Sequence, residues 1–86
     1  MHVIVVYDVP ADRTRVYRKL LRRRLEHLQY SVFYGELTEG QVTTMKNDIQ
    51  KKLEPDDSIV VFESSNPAAF EFSTFGDVDE PGSRFT

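Results

Sequence analysis

The residue best suited to chemistry is Asp8, the acidic residue that ends a hydrophobic run. Residues 3–7 read Val-Ile-Val-Val-Tyr, and Val9 and Pro10 follow Asp8. Such a β-branched run predicts a strand buried on both faces. Pro10 lacks an N–H, so strand pairing should end near Asp8. A carboxylate at a strand end suits a hard divalent cation; the alternative is that Asp8 caps the following turn through backbone amides.

Dimerisation would strengthen the metal interpretation. If a two-fold axis passes near the end of this strand, Asp8 lies beside its own copy, and two close carboxylates ionise comfortably only with a cation between them. Mg²⁺ held by two carboxylates and waters could activate a water for attack on a phosphodiester. Tyr7, Ser31 and Phe33 are the nearest candidates for orienting a substrate. Ser31 has no nearby base in the sequence, so it is not interpreted as a nucleophile.

A dense basic cluster follows the first strand. Seven cations lie within residues 13–24 of an otherwise acidic chain. Phosphate-backbone contact is predicted for six of them: Arg13, Arg15, Arg18, Lys19, Arg22 and Arg23. Arg24 projects towards the apolar side of the predicted helix. The alternative is a solvated helix face, and no pattern predicts base-specific readout.

Composition narrows the class of protein. A chain of 86 residues is enough for one domain. It contains no cysteine, which excludes disulfides and thiolate metal sites. His2 and His27 lack metal-ligand spacing, and no apolar run is long enough to cross a bilayer. Without a signal-peptide pattern, the chain is expected to be soluble and cytoplasmic. Residues 36–86 carry eleven acidic and four basic side chains, which also fits a salt-rich cytoplasm.

The apolar spacing predicts six main elements and one extra strand. The two helices carry apolar stripes, formed by Val16, Tyr17, Leu20, Leu21 and Leu28 and by Val42, Met45, Ile49 and Leu53. The first half of the chain is predicted to contain a strand over His2–Asp8, a helix capped by Asp12 or Thr14 that reaches about His27, and two extended segments between Leu28 and Leu37 with a bend near Ser31. A second helix follows, with a capping box of Thr38 and Gln41. A second buried strand over Ser58–Glu63 and a last strand over Ala69–Phe75 complete the prediction.

This order, β-α-β-β-α-β, predicts an α+β, ferredoxin-like fold with two helices on one face of an antiparallel sheet. The strand over Ala69–Phe75 is surplus to that plan, and its phenylalanines would be an aggregation hazard if left free. We therefore expect this C-terminal strand to be exchanged in a homodimer, joining the partner's sheet. The predicted domain covers residues 1–75, and residues 76–86 form an acidic tail.

Three segments together resemble a known family. They are the strand ending in Tyr7-Asp8, the arginine-rich first helix, and the sequence Gln-Tyr-Ser-Val-Phe-Tyr-Gly-Glu-Leu-Thr over residues 29–38. Over residues 1–75 the chain is similar to the small CRISPR-associated adaptation proteins of the Cas2 family, and its tail is similar to that of members from salt-loving archaea. Tyr34 departs from the family pattern, where many members have an acidic residue.

The resemblance implies a ferredoxin-like homodimer and a metal-dependent endonuclease, with Asp8 as the catalytic residue and Mg²⁺ ligand. It implies DNA or RNA as substrate, and a role in spacer acquisition in which the dimer holds duplex DNA and bridges the CRISPR integrase. Two alternatives stay open: a purely architectural, non-catalytic DNA-binding dimer, and a toxin-type ribonuclease of related fold.

Overall fold

The structure, a computed structural model, describes residues 1–66 together with Ser73 and Phe75. Its strands are β1 (His2–Asp8), β2 (Glu26–Gln29), β3 (Val32–Glu36) and β4 (Ser58–Ser64), and its helices are α1 (Thr14–Leu21) and α2 (Glu39–Lys52). In this part of the chain the four strands form one antiparallel sheet in the order β2-β3-β1-β4. The α+β, ferredoxin-like fold is therefore confirmed, and β1 is a central strand.

The hydrophobic core lies between one face of the sheet and the two helices. Alternate residues of β1 are buried there, as the two-residue period of a strand requires. The buried core residues are Val3, Val5, Tyr7, Tyr17, Leu20, Leu21, Leu25, Phe33, Leu37, Val42, Met45 and Ile49. The core thus fixes the end of β1 against α1, which brings Asp8 and the basic cluster close together.

No other described element covers the opposite face of the sheet, so the prediction that β1 is buried on both faces is wrong for the part of one chain that the structure describes. Val60 and Phe62 of β4 are 47% and 49% exposed. Six apolar side chains share this outer sheet face by strand alternation: Ile4, Val6, Val32, Tyr34, Val60 and Phe62. The reason is geometric: both helices pack on the other face, and among residues 1–66 no element is left to cover this one.

Helix α1 is shorter than the sequence pattern predicts. It ends at Leu21 rather than near His27, and the chain turns through residues 22–25 before β2 begins at Glu26. β2 pairs with β3, and the His27 ring stacks on Phe33 with centroids 4.7 Å apart. Pairing with β3 and stacking of the His27 ring therefore favour a strand over residues 26–29, although their apolar spacing predicts a continued helix.

The predicted cap of α1 is also wrong. Arg13 occupies the N-cap position, and no side chain caps the helix. Asp12 lies within a short 3₁₀ turn over Ala11–Arg13. The Thr14 hydroxyl instead donates a hydrogen bond to the Ala11 carbonyl at 3.0 Å, so this turn feeds directly into the helix.

The predicted capping box of α2 is confirmed. The Gln41 amide donates to the Thr38 hydroxyl at 3.1 Å, and the Thr38 amide donates to the Gln41 side chain at 2.9 Å. The apolar stripe is confirmed except at its end, where Leu53 lies beyond the last helical residue and is 44% exposed. The bend near Ser31 is confirmed as the turn between β2 and β3.

The surplus strand predicted over Ala69–Phe75 falls outside the described residues, except for Ser73 and Phe75, which are exposed. The tail over residues 76–86 lies outside them as well. Across the part of the chain that is described, no helix has the length and apolar character needed to span a membrane.

Candidate functional site

Asp8 is an exposed carboxylate at the end of β1. It lies opposite Ser58 of β4. Its carboxylate makes no hydrogen bond or ion pair with any described residue, and no side chain caps the turn that follows. The interpretation of Asp8 as a turn cap is therefore wrong, and its carboxylate is available to a ligand.

Asp8 borders an open depression of about 250 Å³. The lining residues come from the end of β1, from α1 and from the β2–β3 turn: Tyr7, Asp8, Val9, Thr14, Arg18, Tyr30 and Ser31. The Tyr7 amide donates to the Ser31 carbonyl at 3.1 Å, which holds the turn beside the end of β1. Three predicted site residues, Tyr7, Ser31 and Arg18, thus line the same depression as the predicted metal ligand. Thr14 and Tyr30 line it too, and no sequence signal indicated them.

The donor set suits Mg²⁺ only in part. Asp8 supplies one hard, anionic oxygen ligand, and Mg²⁺ is commonly bound by one or two carboxylates with waters and substrate phosphates. Within residues 1–66, Ser73 and Phe75, no three His, Cys, Asp or Glu side chains cluster closely enough to hold a metal ion. Asp8 is the one carboxylate among the described residues that line the depression, and the remaining ligands would be water, phosphate or a second chain.

Two of the predicted substrate-orienting residues belong to the core. Phe33 is fully buried and Tyr7 is 3% exposed. Their rings stack with centroids 6.2 Å apart, and Tyr7 also packs on Tyr17 at 5.7 Å. Phe33 therefore cannot touch a substrate in this conformation, because its neighbours cover it. The role predicted for Ser31, which lines the depression, stays a prediction.

The six cations predicted to contact nucleic acid differ in exposure and in whether they are already paired. Five of the cations are exposed on α1 and the turn that follows it, and together they form what we call the basic surface: Arg15, Arg18, Lys19, Arg22 and Arg23. At 100° per residue Arg15, Arg18 and Lys19 cover an arc of about 100° on α1, and Arg22 and Arg23 follow in the turn. Arg18 borders the Asp8 depression at one edge of the arc.

At the other edge, Lys19 and Arg23 line a second depression of about 220 Å³ between α1 and α2. Lys51 and Lys52 of α2 line it too, although they are distant in sequence from the basic cluster. The sequence pattern missed them because only the packing of α1 against α2 brings the two groups together.

Arg13 differs from the other predicted contacts because its guanidinium is already paired. It lies 2.9 Å from the Asp57 carboxylate and 3.1 Å from Glu54, and donates to the Lys52 carbonyl at 2.6 Å. The Tyr17 hydroxyl donates to the same Asp57 carboxylate at 2.5 Å. This network ties the start of α1 to the α2–β4 turn. The role predicted for Arg13 in binding nucleic acid stays a prediction, and it would require these bonds to be broken.

The hydrogen bond from Arg13 is the main reason that the pKa of Asp57 falls from 3.8 to about 2, with the Tyr17 hydroxyl adding to the effect. The same bond raises the pKa of Arg13. Burial is the main cause of the raised pKa of Tyr17.

Arg24, which the helical spacing placed towards the apolar side, is held by Asp48 of α2 at 3.2 Å. Both pairs fix α1 and its exposed cations relative to α2.

Comparison with known proteins decides the family. A family model described as CRISPR associated protein Cas2 matches residues 1–71. The chain belongs to the Cas2 family. A Haloferax volcanii protein named CRISPR-associated endoribonuclease Cas2 is 79% identical, over 100% of both chains. A crystal structure of a Cas2 protein matches with a TM-score of 0.83 and 33% identity, covering 94% of this chain and 92% of its own.

The fold is also shared with Cas2 of Streptococcus pyogenes. That crystal structure matches with a TM-score of 0.76 and 25% identity, over 88% of this chain and 100% of its own. These likenesses agree with the four-stranded sheet and two helices described above.

Position 34 in this Cas2 protein is separated from the candidate site. Tyr34 lies opposite Ile4 in the sheet, four residues before Asp8. At about 3.3 Å per residue, that is about 13 Å along the strand. Tyr34 instead stacks near His2, with ring centroids 6.5 Å apart. An acidic residue at this position could not share a metal with Asp8 of the same chain, so Tyr34 does not weaken the Asp8 site within one chain.

We expect Asp57→Asn to lower the melting temperature of this Cas2 protein by on the order of 10 °C, because Arg13 would lose its buried anionic partner. The lowered pKa of Asp57 means that its contribution to stability is complete above about pH 4 and is lost as the pH falls through about 2. Thermal unfolding followed by circular dichroism from pH 7 to pH 2 measures both effects.

The neighbouring exposed residue provides the control for this experiment. Asp56→Asn removes the same charge one position away, and it should leave the melting temperature within about 2 °C of wild type. Equal losses in the two variants would show that the network of Arg13, Tyr17 and Asp57 adds nothing specific to stability.

Proposed function

We propose that this Cas2 protein is a nucleic-acid-binding homodimer that hydrolyses phosphodiesters with Mg²⁺ bound at Asp8 and serves CRISPR adaptation together with an integrase. The observation that carries the proposal is the exposed, unpaired Asp8 carboxylate beside Arg18 in one open depression. The name endoribonuclease, given to the Haloferax volcanii relative, supports nuclease activity. Family membership favours this function over a toxin-type ribonuclease.

The outer sheet face supports the homodimer. Its six apolar side chains form two rows across the sheet, with Ile4 between Tyr34 and Phe62. The second row places Val6 between Val32 and Val60. A continuous apolar patch of this kind, open on a small domain, is typical of a protein–protein interface. A second copy packed on the same face would bury both rows by two-fold symmetry.

Asp8 would lie at the end of this interface. Strand alternation puts Asp8 on the side of the sheet that carries Ile4 and Val6. A two-fold axis close to this end of β1 would bring the partner's Asp8 near, and it would supply a second carboxylate beside the one that the described residues place at this depression. The exchange of the C-terminal strand remains part of the proposal, since that strand lies outside the described residues.

The roles of the individual residues follow from their chemistry. Asp8 would hold Mg²⁺, which when bound polarises a phosphate oxygen and lowers the pKa of a coordinated water. Arg18, which lines the same depression, would bind the phosphate as a charge-assisted hydrogen-bond donor. Asp8 itself bonds to no described group that would need to move first.

The basic surface supports a second function for the same dimer, as a holder of DNA. Five exposed cations run from the Asp8 depression to the groove between α1 and α2, where Lys51 and Lys52 extend them. Such a surface fits the regular phosphates of a duplex without reading its bases. A non-catalytic, architectural Cas2 would need this surface and an integrase contact but would not need the Asp8 carboxylate.

We expect the triple variant Arg18→Gln, Arg22→Gln, Arg23→Gln to bind a duplex at least about tenfold more weakly than wild type. The slope of log affinity against log salt should also fall by about three, since each phosphate contact contributes about one unit. Fluorescence anisotropy with a labelled duplex, titrated over a range of salt concentrations, measures both quantities.

Lys46 provides a matched control, because it is exposed on α2 and pairs with Glu63 of β4. Lys46→Gln removes one positive charge, as Arg22→Gln does, and should leave duplex affinity nearly unchanged. Equal weakening by these two single variants would mean that net charge, and not the basic surface, governs binding. Unchanged binding by the triple variant would overturn the assignment of α1.

A further inference from the structure

Tyr30 is an unusual residue for the turn that it occupies. Among the described residues it is the one non-glycine residue with a positive φ, at 44°. L-residues pay a steric cost in this left-handed region, and a bulky aromatic side chain is uncommon there. Glycine, asparagine or aspartate would make the same turn with less strain.

Neither the core nor the turn explains the tyrosine ring. Its side chain is 80% exposed, so the ring contributes little to the packing of one chain. The contact that holds the turn uses the backbone, since the Tyr30 carbonyl, not the ring, bonds to the His27 side chain. A strained position that presents an exposed aromatic ring is typical of a functional site.

The location of the ring points to a ligand. Tyr30 borders the depression that also contains Asp8 and Arg18. It therefore stands beside a candidate metal ligand and a candidate phosphate contact. Aromatic side chains bind nucleic acid by stacking on bases, and a base is free to stack on protein only when it is unpaired.

We infer that the Tyr30 ring is a stacking platform for an unpaired nucleobase whose adjacent phosphate lies at Arg18, in the depression that Asp8 also borders. This inference rests on the proposed function, because it assumes that the depression binds nucleic acid. It assigns the base contact to one residue: the Tyr30 ring would stack on an unpaired base of a single strand, a duplex end or a bulge, while a continuous duplex uses the basic surface alone. The left-handed turn is what aims the ring outward.

The test compares wild type with Tyr30→Asn and Tyr30→Phe. Asparagine tolerates the left-handed region but removes the ring, whereas phenylalanine keeps the ring and removes only the hydroxyl. Affinity is measured by anisotropy for a fluorescein-labelled 12-nucleotide single strand and for the same sequence as a duplex. A second single strand carries 2-aminopurine, whose fluorescence is quenched when it stacks.

We expect Tyr30→Asn to weaken single-strand binding by about 5- to 100-fold and to change duplex binding by less than about twofold. It should also abolish the 2-aminopurine quenching that wild type shows, and its melting temperature should equal or exceed that of wild type, because backbone strain is relieved. Tyr30→Phe should behave as wild type in both binding assays.

The outcomes separate the two proposals. If wild type binds the single strand and Tyr30→Asn binds it equally well, the stacking inference is overturned while the proposed function stands. Three results for Tyr30→Asn would overturn the stacking inference in favour of a structural role for Tyr30. They are equal weakening of single-strand and duplex binding, a melting temperature below that of wild type, and a monomeric mass. If wild type binds neither nucleic acid, the proposed function fails and the inference fails with it.

Discussion

Asp8→Asn is expected to abolish the proposed magnesium-dependent cleavage of nucleic acid by the purified protein. Asparagine preserves the size of the side chain but removes the negative charge that Mg²⁺ requires from its protein ligands. Metal assistance contributes several kcal/mol to phosphodiester hydrolysis, so we expect the rate to fall by about two to three orders of magnitude. The measurement is the initial rate on a labelled single strand and on a duplex, with Mg²⁺ and with EDTA.

The control for this prediction is Asp12→Asn. Asp12 is an exposed carboxylate four residues further along, in the 3₁₀ turn before α1, and its replacement should leave the cleavage rate within about twofold. Both variants should keep the wild-type melting temperature, because neither carboxylate bonds to a described group. Cleavage that persists unchanged in Asp8→Asn would indicate a contaminating nuclease or a different site.

Asp8→Asn also separates the two roles proposed for the dimer, which are hydrolysis of phosphodiesters and the holding of DNA. If Cas2 acts in spacer acquisition only by holding DNA, Asp8→Asn should support acquisition at the wild-type level while the triple arginine variant does not. If hydrolysis is required, acquisition should be lost with the carboxylate even though duplex binding persists. The structure makes this separation possible because the basic surface extends well beyond the Asp8 depression.

Local sequence signals predicted well the elements that position the site. The run ending at Pro10 predicts β1 to the residue, and the capping box of Thr38 and Gln41 predicts the start of α2. In both cases the decisive interactions lie within a few residues of one another. The position of Asp8 at a strand end followed from the same signals, and the structure adds that its carboxylate is unpaired.

Features that depend on distant residues were not predictable in this way. Helix α1 ends early because residues 26–29 pair with β3. Arg13 looked like the other cations of its cluster, yet Asp57, 44 positions away, pairs with it. Tyr30 carried no signal either, since its significance depends on a backbone angle and on the depression that it borders.

Phe62→Asp is expected to dissociate the proposed homodimer. Phe62 is 49% exposed in one chain and lies beside Ile4 on the outer sheet face. A carboxylate at this position would have to be buried without a partner in the proposed interface, which should raise the dimer dissociation constant on the order of 100-fold or more. Light scattering at micromolar concentration should then give a mass near the 10.0 kDa of one chain instead of twice that value.

Leu53→Asp is the matched control, because Leu53 is similarly exposed, at 44%, but lies beyond the end of α2, away from the outer sheet face. It should leave the protein dimeric. A dimeric Phe62→Asp variant would place the interface elsewhere, and a monomeric wild type would overturn the homodimer itself.

Dissociation also tests whether two chains build the catalytic site. Phe62→Asp retains Asp8, Arg18 and the depression around them, so a site completed within one chain would keep its cleavage rate. If the second carboxylate comes from the partner, the rate per chain should fall with dissociation and should rise again with protein concentration as dimers re-form. A rate per chain that is independent of concentration across the monomer–dimer transition would show that one chain is sufficient.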